Sequence, residues 1–144
     1  MRKNLQTISI MLDKVLFEYA VIRCVPRVER EEFVNVGVIL FCPKQKFLSA
    51  KIVIDAVRLQ TLFKGIDVEE IESHLEALVS ISKGEKQAGP IALLDQASRF
   101  RWLTATRSTV VQTSKVHPGF TADADATLNK LFTEQVITQT HNEV

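Results

Sequence analysis

Cysteine is scarce in this chain. Cys24 and Cys42 are the only two, and each falls inside an apolar run, so a disulfide framework is excluded and a pair of buried thiols in a reducing compartment is expected. A long hydrophobic run is lacking as well: none reaches the roughly 18 residues that a membrane-spanning helix needs. Nor is there a surplus of charge of one sign. Eighteen lysines and arginines face 17 aspartates and glutamates, which excludes a surface built throughout for nucleic acid but leaves room for a local cluster of arginines. The five glycines are dispersed, so neither GxGxxG nor a Walker-type loop is present, and HExxH and GxSxG are missing too. Of the potential soft ligands, Cys24, Cys42, His74 and His117, no two are spaced as a chelating pair, and neither a metal nor a cofactor is expected.

What is present reads as one globular domain. Hydrophobic residues make up 46% and charged residues 24% of 144, the balance of a chain able to bury a core. The N-terminus MRKNLQTISIMLDK begins basic, but Asp13 and Lys14 interrupt its apolar run and no small-residue cleavage site follows. A signal peptide is therefore not expected, and the location expected is cytoplasmic, with no membrane association. Met11 is an alternative start to Met1. The organisation expected is an N-terminal extension over 1–16, a single domain over 17–138 and a polar tail over 139–144.

Phe17 to Val25, FEYAVIRCV, is rich in aromatic and β-branched residues and stops at Pro26, as a strand does. After the charged loop PRVEREE, FVNVGVILFC from Phe33 to Cys42 predicts a second strand. Val34, Val36, Val38 and Leu40 stand on one face and Phe33, Asn35, Gly37, Ile39 and Phe41 on the other, so this strand is covered on both sides. A turn at PKQK leads to a third strand, Phe47 to Ile54, which closes an antiparallel meander. Asp55 caps a short helix with Ala56, Leu59, Leu62 and Phe63 on one face, ending at Gly65. Asp67 with Glu70 resembles a capping box for a helix carrying Val68, Ile71, Leu75 and Leu78 as a stripe before Gly84. Pro90 opens a helix over IALLDQASRFRWL, Thr109 to Val116 predicts a short strand, and HPG a turn. Leu128, Leu131, Phe132 and Val136 line a C-terminal helix. The fold class expected is α+β, with a predominantly antiparallel sheet (the meander plus a further short strand) packed with three to four helices.

The candidate site residues follow from this layout. Period two puts Arg23 on the strand face of Tyr19 and Val21, where a cation needs a partner; Glu29, Glu31 or Glu32 would supply one within the protein, or a ligand from outside. Asn35 and Gly37 offer an amide and a missing side chain on the neighbouring strand, the latter also readable as a bulge or bend. Arg99 and Trp102 share a helix side, Arg107 and Ser108 occupy the following loop, and Gln112 and Ser114 alternate on the next strand. Arginines beside amides and hydroxyls make a chemically sound anion pocket, because guanidinium offers paired donors to phosphate or carboxylate. The same arginines could instead staple helix to sheet through carbonyls and glutamates, with Trp102 as core. His117, at the HPG turn, is the one candidate for a general base.

YAVIRCVPRVEREEFVNVGVILFCP and FRWLTATRSTVVQTSKVHPG together resemble the two signature blocks of a bacterial family catalogued as domain of unknown function 3037. The similarity extends from about Phe17 to Val136. Such members typically carry an aromatic where this chain has Cys24 and a glycine where it has Glu31. The resemblance implies no activity. It does imply a protein partner, a HipA-like kinase. With catalytic motifs missing, the expectation is a non-catalytic accessory or regulatory protein. The alternative is a domain that binds a phosphate ligand or nucleic acid, with or without hydrolysis, through its arginines.

Overall fold

The computed structural model describes residues 13–107 and 109–137. Its frame is a five-stranded antiparallel sheet. Strand β1, Val15–Cys24, pairs with β2, Val34–Cys42, and β2 with β3, Phe47–Ile52. The far side of β1 is covered in two pieces, by β4, Val111–Thr113, and β5, His117–Thr121. The meander is as the sequence predicts. The final piece is not, because His117–Thr121 is a strand rather than a turn.

Local chemistry argues for a turn at His-Pro-Gly, but tertiary pairing overrides it. Pro118 stands opposite Glu18 on an edge strand, a position where a missing N–H is tolerated. Gly119 stands opposite Phe17, and a β-carbon there would lie 2.5 Å from the Phe17 ring. The glycine is the space into which that ring packs. The strand expected over Thr109 to Val116 is correspondingly shorter, and Ser114 lies in the break between β4 and β5.

A second departure concerns the faces of β2. The register with β1 slips between Ile22 and Arg23, so that Gly37 pairs with Ile22, Asn35 with Arg23, and Val36 is extra. This β-bulge rotates the strand by one residue. Val34 and Val36 therefore share a core with Ile39 and Phe41, while Val38, Leu40 and Cys42 belong to the opposite one, in place of a strict odd and even division. Gly37 is required here because a β-carbon would come within 2.6 Å of the Lys51 carbonyl oxygen.

Four α-helices sandwich the sheet: α1 Ala56–Leu62, α2 Val68–Lys83, α3 Gln96–Leu103 and α4 Ala124–Phe132, the last running into a π-helical turn, Thr133–Ile137. Each starts at an aspartate whose carboxylate accepts a backbone N–H three residues on: Asp55 from Arg58, Asp67 from Glu70, Asp95 from Ser98 and Asp123 from Ala126, at 2.7–3.1 Å. Such caps are each worth about 1 kcal/mol. The Asp95 carboxyl is held below the usual carboxylate range, chiefly by the Ser98 N–H. Helix α2 carries the expected stripe, with Ile71, Leu75 and Leu78 buried and Ile81 added, and ends at Gly84 with φ 72°. In α1 only Leu59 is buried while Leu62 is 49% exposed, so its predicted apolar face is narrower than four residues. The helix expected from Pro90 is divided: Pro90–Leu93 is a 3₁₀ turn, and Asp95 restarts the chain as α3.

Helices α1, α2 and α3 cover one face, around the fully buried Phe100 with Ile22, Cys24, Ile39, Leu59, Ile71 and Leu75. Helix α4 and the π-helical turn after it cover the other, laying Leu128 and Phe132 of the helix and Val136 of the turn on Phe17, Val38, Leu40 and Cys42. The two cysteines thus sit in different cores. No helix among the described residues is long and apolar enough to cross a membrane.

Candidate functional site

Arg23, Arg99 and Arg107 occupy three separate places. Arg23 lies on the α4 face of the sheet, between its cross-strand neighbours Asn35 and Gln112. Among the described residues it pairs with no glutamate; the cation lies instead 4.1 Å from the centre of the Phe33 ring. A weakly hydrated guanidinium gains from such a stack, and burial pushes its pKa down. Its Nε and the Oδ1 of Asn35 are buried without a hydrogen-bond partner among the described residues, while the Asn35 Nδ2 donates to the Gln135 carbonyl at 3.0 Å.

Arg99 reaches the C-terminal end of α2. Nη1 donates to the Leu94 carbonyl at 2.6 Å and Nη2 to that of Ser82 at 3.4 Å. Carbonyls left open at a helix end carry partial negative charge, so a cation is stabilised there. Arg99 is thus a staple through carbonyls, but it ties helix to helix, where the alternative read from the sequence tied helix to sheet. Arg101, which was not among the candidates, makes the one bidentate ion pair among the described residues, to Glu18 at 2.9 and 3.0 Å.

Ser114 acts in the sheet. Its N–H donates to the Val21 carbonyl at 2.8 Å, and its Oγ accepts the Val21 N–H at 2.9 Å while donating to the Lys115 carbonyl. A side chain thereby substitutes for a strand carbonyl where β4 and β5 part. His117 is exposed on β5, its ring 5.3 Å from that of Tyr19, its register partner. No nucleophile or orienting carboxylate bonds to it among the described residues. Ser108 lies outside the described residues.

The remaining candidates converge. Trp102, Arg107 and Gln112 line a pocket of about 270 Å³ between α2, the end of α3, the loop after it and β4. Its floor and walls are apolar, from Ala77, Leu78, Ile81, Leu103 and Val111. Polar groups stand at the remainder: His74, Thr109, Thr113 and the three candidates. An apolar cleft with a few convergent polar groups is the usual build of a small-molecule site.

Local folding explains how Arg107 comes to be here. Helix α3 ends at Leu103, with Thr104 returning its N–H and Oγ1 to the Phe100 carbonyl. The loop then doubles back, so that an Arg107 N–H reaches the Trp102 carbonyl and its guanidinium stacks 3.8 Å from the Trp102 ring centre. Burial lowers its pKa, yet a guanidinium remains protonated at any physiological pH. No carboxylate neutralises it among the described residues. Only one of its five N–H donors is used in a hydrogen bond there.

His74 also lines the pocket and was not among the candidate site residues. It stands on α2 with Ala77, Leu78 and Ile81, and spacings of three and four place all of them along one helix side. That spacing is legible in the sequence. His74 Nε2 also lies 3.8 Å from a Glu70 carboxylate oxygen one turn earlier.

A family model described as "Protein of unknown function (DUF3037)" matches residues 19–136. Neither the curated proteins nor the solved structures contain a match.

Proposed function

The chain belongs to this DUF3037 family of unknown function, and from the pocket alone we propose that it is a binding module for a small anionic ligand. The observation that carries this is Arg107: a cation that is partly desolvated, has no carboxylate partner among the described residues and lines an otherwise apolar cleft beside an indole. A guanidinium in low-dielectric surroundings attracts an anion more strongly than one in water. The apolar build with a single cation favours a small molecule over a nucleic-acid chain, which needs a groove lined by several cations. Catalysis is not part of this reading.

Trp102 is the only tryptophan and lines the pocket, so its fluorescence reports occupancy without a label. Titration with carboxylates, inorganic phosphate and mononucleotides should give a saturable emission change with at least one of them, lost in a cooperatively folded Arg107→Ala variant. Silence from all of them, with no thermal stabilisation, would sink the proposal.

A second reading is the accessory or regulatory partner of a HipA-like kinase that the family resemblance implies. Its support is the apolar surface near the start of β1: Leu16 and Phe120 face each other across the β1–β5 ladder and are 46% and 69% exposed. Co-expression with candidate kinases tests it, and absence of a complex that survives purification removes that version.

A further inference from the structure

We propose, resting on the pocket reading above, that the ligand is a compact monoanion with an apolar body, a small aromatic or branched-chain carboxylic acid, rather than a nucleotide. Four features point the same way. A volume of about 270 Å³ lies just under the ~300–1,000 Å³ usual for ligand pockets, which suits a single ring or a short branched chain. The surfaces beyond the cation are the methyl and methylene groups of Ala77, Leu78, Ile81, Leu103 and Val111, and these gain only from an apolar body.

The charge complement is also single. Arg107 is the only lysine or arginine among the lining residues, and no glycine-rich loop lines the pocket. Phosphoryl sites draw on several donors, from helix N-termini, backbone nests or more than one cation. Here the C-terminal end of α3 lines the pocket, at Trp102 and Leu103, and its partial negative charge opposes a dianion. A carboxylate needs less, since one guanidinium edge supplies two parallel N–H donors. His74, within 3.8 Å of Glu70, and Gln112, whose Nε2 donates to the Thr109 carbonyl at 3.0 Å, are both engaged within the protein and do not add a second anion site.

The test pairs acids with their neutral amides on the full chain. Phenylacetate and isovalerate, phenylacetamide and isovaleramide, AMP and inorganic phosphate are titrated while Trp102 emission and melting temperature are followed. The acids should bind at least about tenfold more tightly than the amides, the difference between a charge-assisted and a neutral hydrogen bond, and AMP and phosphate should not saturate. Arg107→Gln should remove the acid preference, so that acid and amide bind alike. Because Arg107 also caps α3, a second variant leaves the cation alone: Ala77→Trp, from an exposed α2 position, fills the cleft and should abolish acid and amide binding together. Equal affinity for acid and amide would overturn the inference while leaving the pocket a ligand site, and so would AMP or phosphate binding more tightly than the acids. Binding of none of the six compounds would overturn the pocket reading itself.

Discussion

Replacing Ser114 with alanine separates a structural role for the polar segment from a ligand role. The Val21 amide belongs to the central strand, and both residues are nearly inaccessible, at 5% and 7% exposure. Removing Oγ leaves that N–H, now bonded at 2.9 Å, without an acceptor and with no route to water. An orphaned buried amide costs about 1–3 kcal/mol. The Lys115 carbonyl also loses a donor, but Lys115 is exposed and solvent replaces it. For a chain of this length each kcal/mol moves the melting temperature by about 3 °C, so Ser114→Ala should melt roughly 3–9 °C lower. Ser114→Thr retains the oxygen and should recover most of the loss. Hydrogen exchange adds a local readout: the Val21 amide should lose protection in the alanine variant before its β2-side neighbours do. Ser114 does not line the pocket, so the Trp102 response to ligand should persist in the folded variant. An alanine variant melting within about 1 °C of wild type, or one indistinguishable from the threonine variant, would refute the claim that this hydroxyl completes the ladder.

Three further outcomes are expected. Glu31 holds φ at 57°, a conformation costing a non-glycine residue roughly 1–2 kcal/mol; Glu31→Gly should raise the urea midpoint by the equivalent of about 0.5–1 kcal/mol after the entropy of the unfolded glycine is counted, and a lower midpoint contradicts this. Gly119→Ala should cost about 1–3 kcal/mol by driving the Phe17 ring from its place, and Gly119→Ala combined with Phe17→Leu should be less damaging than the two effects summed. Burial pushes the Cys24 thiol up to about 11 from its ordinary 9.0. A folded-state pKa raised in this way contributes stability that is fully present below the unfolded value and is lost as pH rises from there through about 11. The alkaline decline should therefore be shallower in Cys24→Ala, and at pH 8 a thiol reagent should label Cys24 only as fast as the chain unfolds.

The parts of the fold that were legible are those specified by local chemistry. Asp67 before an apolar stripe and Gly84 after it define α2 without help from the rest of the chain, since a carboxylate finds an N–H three residues away and a glycine accepts positive φ. The meander follows from runs of β-branched residues with short connections. The bulge at Val36 depends on where β1 sits beside β2, which neither strand states alone. His117–Thr121 carries strong turn chemistry, and its ladder with β1, with the Phe17 ring packed in the space over Gly119, makes it a strand. In the candidate site, Trp102, Arg107 and Gln112 were visible because polar and aromatic residues cluster in one segment. His74 was less so, because its contribution depends on α2 lying beside β4. Arg23 stands out in the sequence as a cation on the strand face of Tyr19 and Val21, but its companion is an aromatic ring rather than a carboxylate, and charge counting does not find rings.

The position of β1 has a consequence for how the chain is made. Its partners on one side, β2 and β3, follow at once, whereas β4 and β5 arrive only after the helices. About a hundred residues separate the end of β1 from the end of β5, and at a synthesis rate of about 5–20 residues per second the nascent sheet spends on the order of 5–20 s with its central strand open along one edge. Such an edge is a template for another chain, and pairing at so long a sequence separation is slow. For that interval the longest strand among the described residues has its backbone donors and acceptors along one edge exposed to the cell, and crowding by its own copies on one messenger is the condition under which it would pair wrongly.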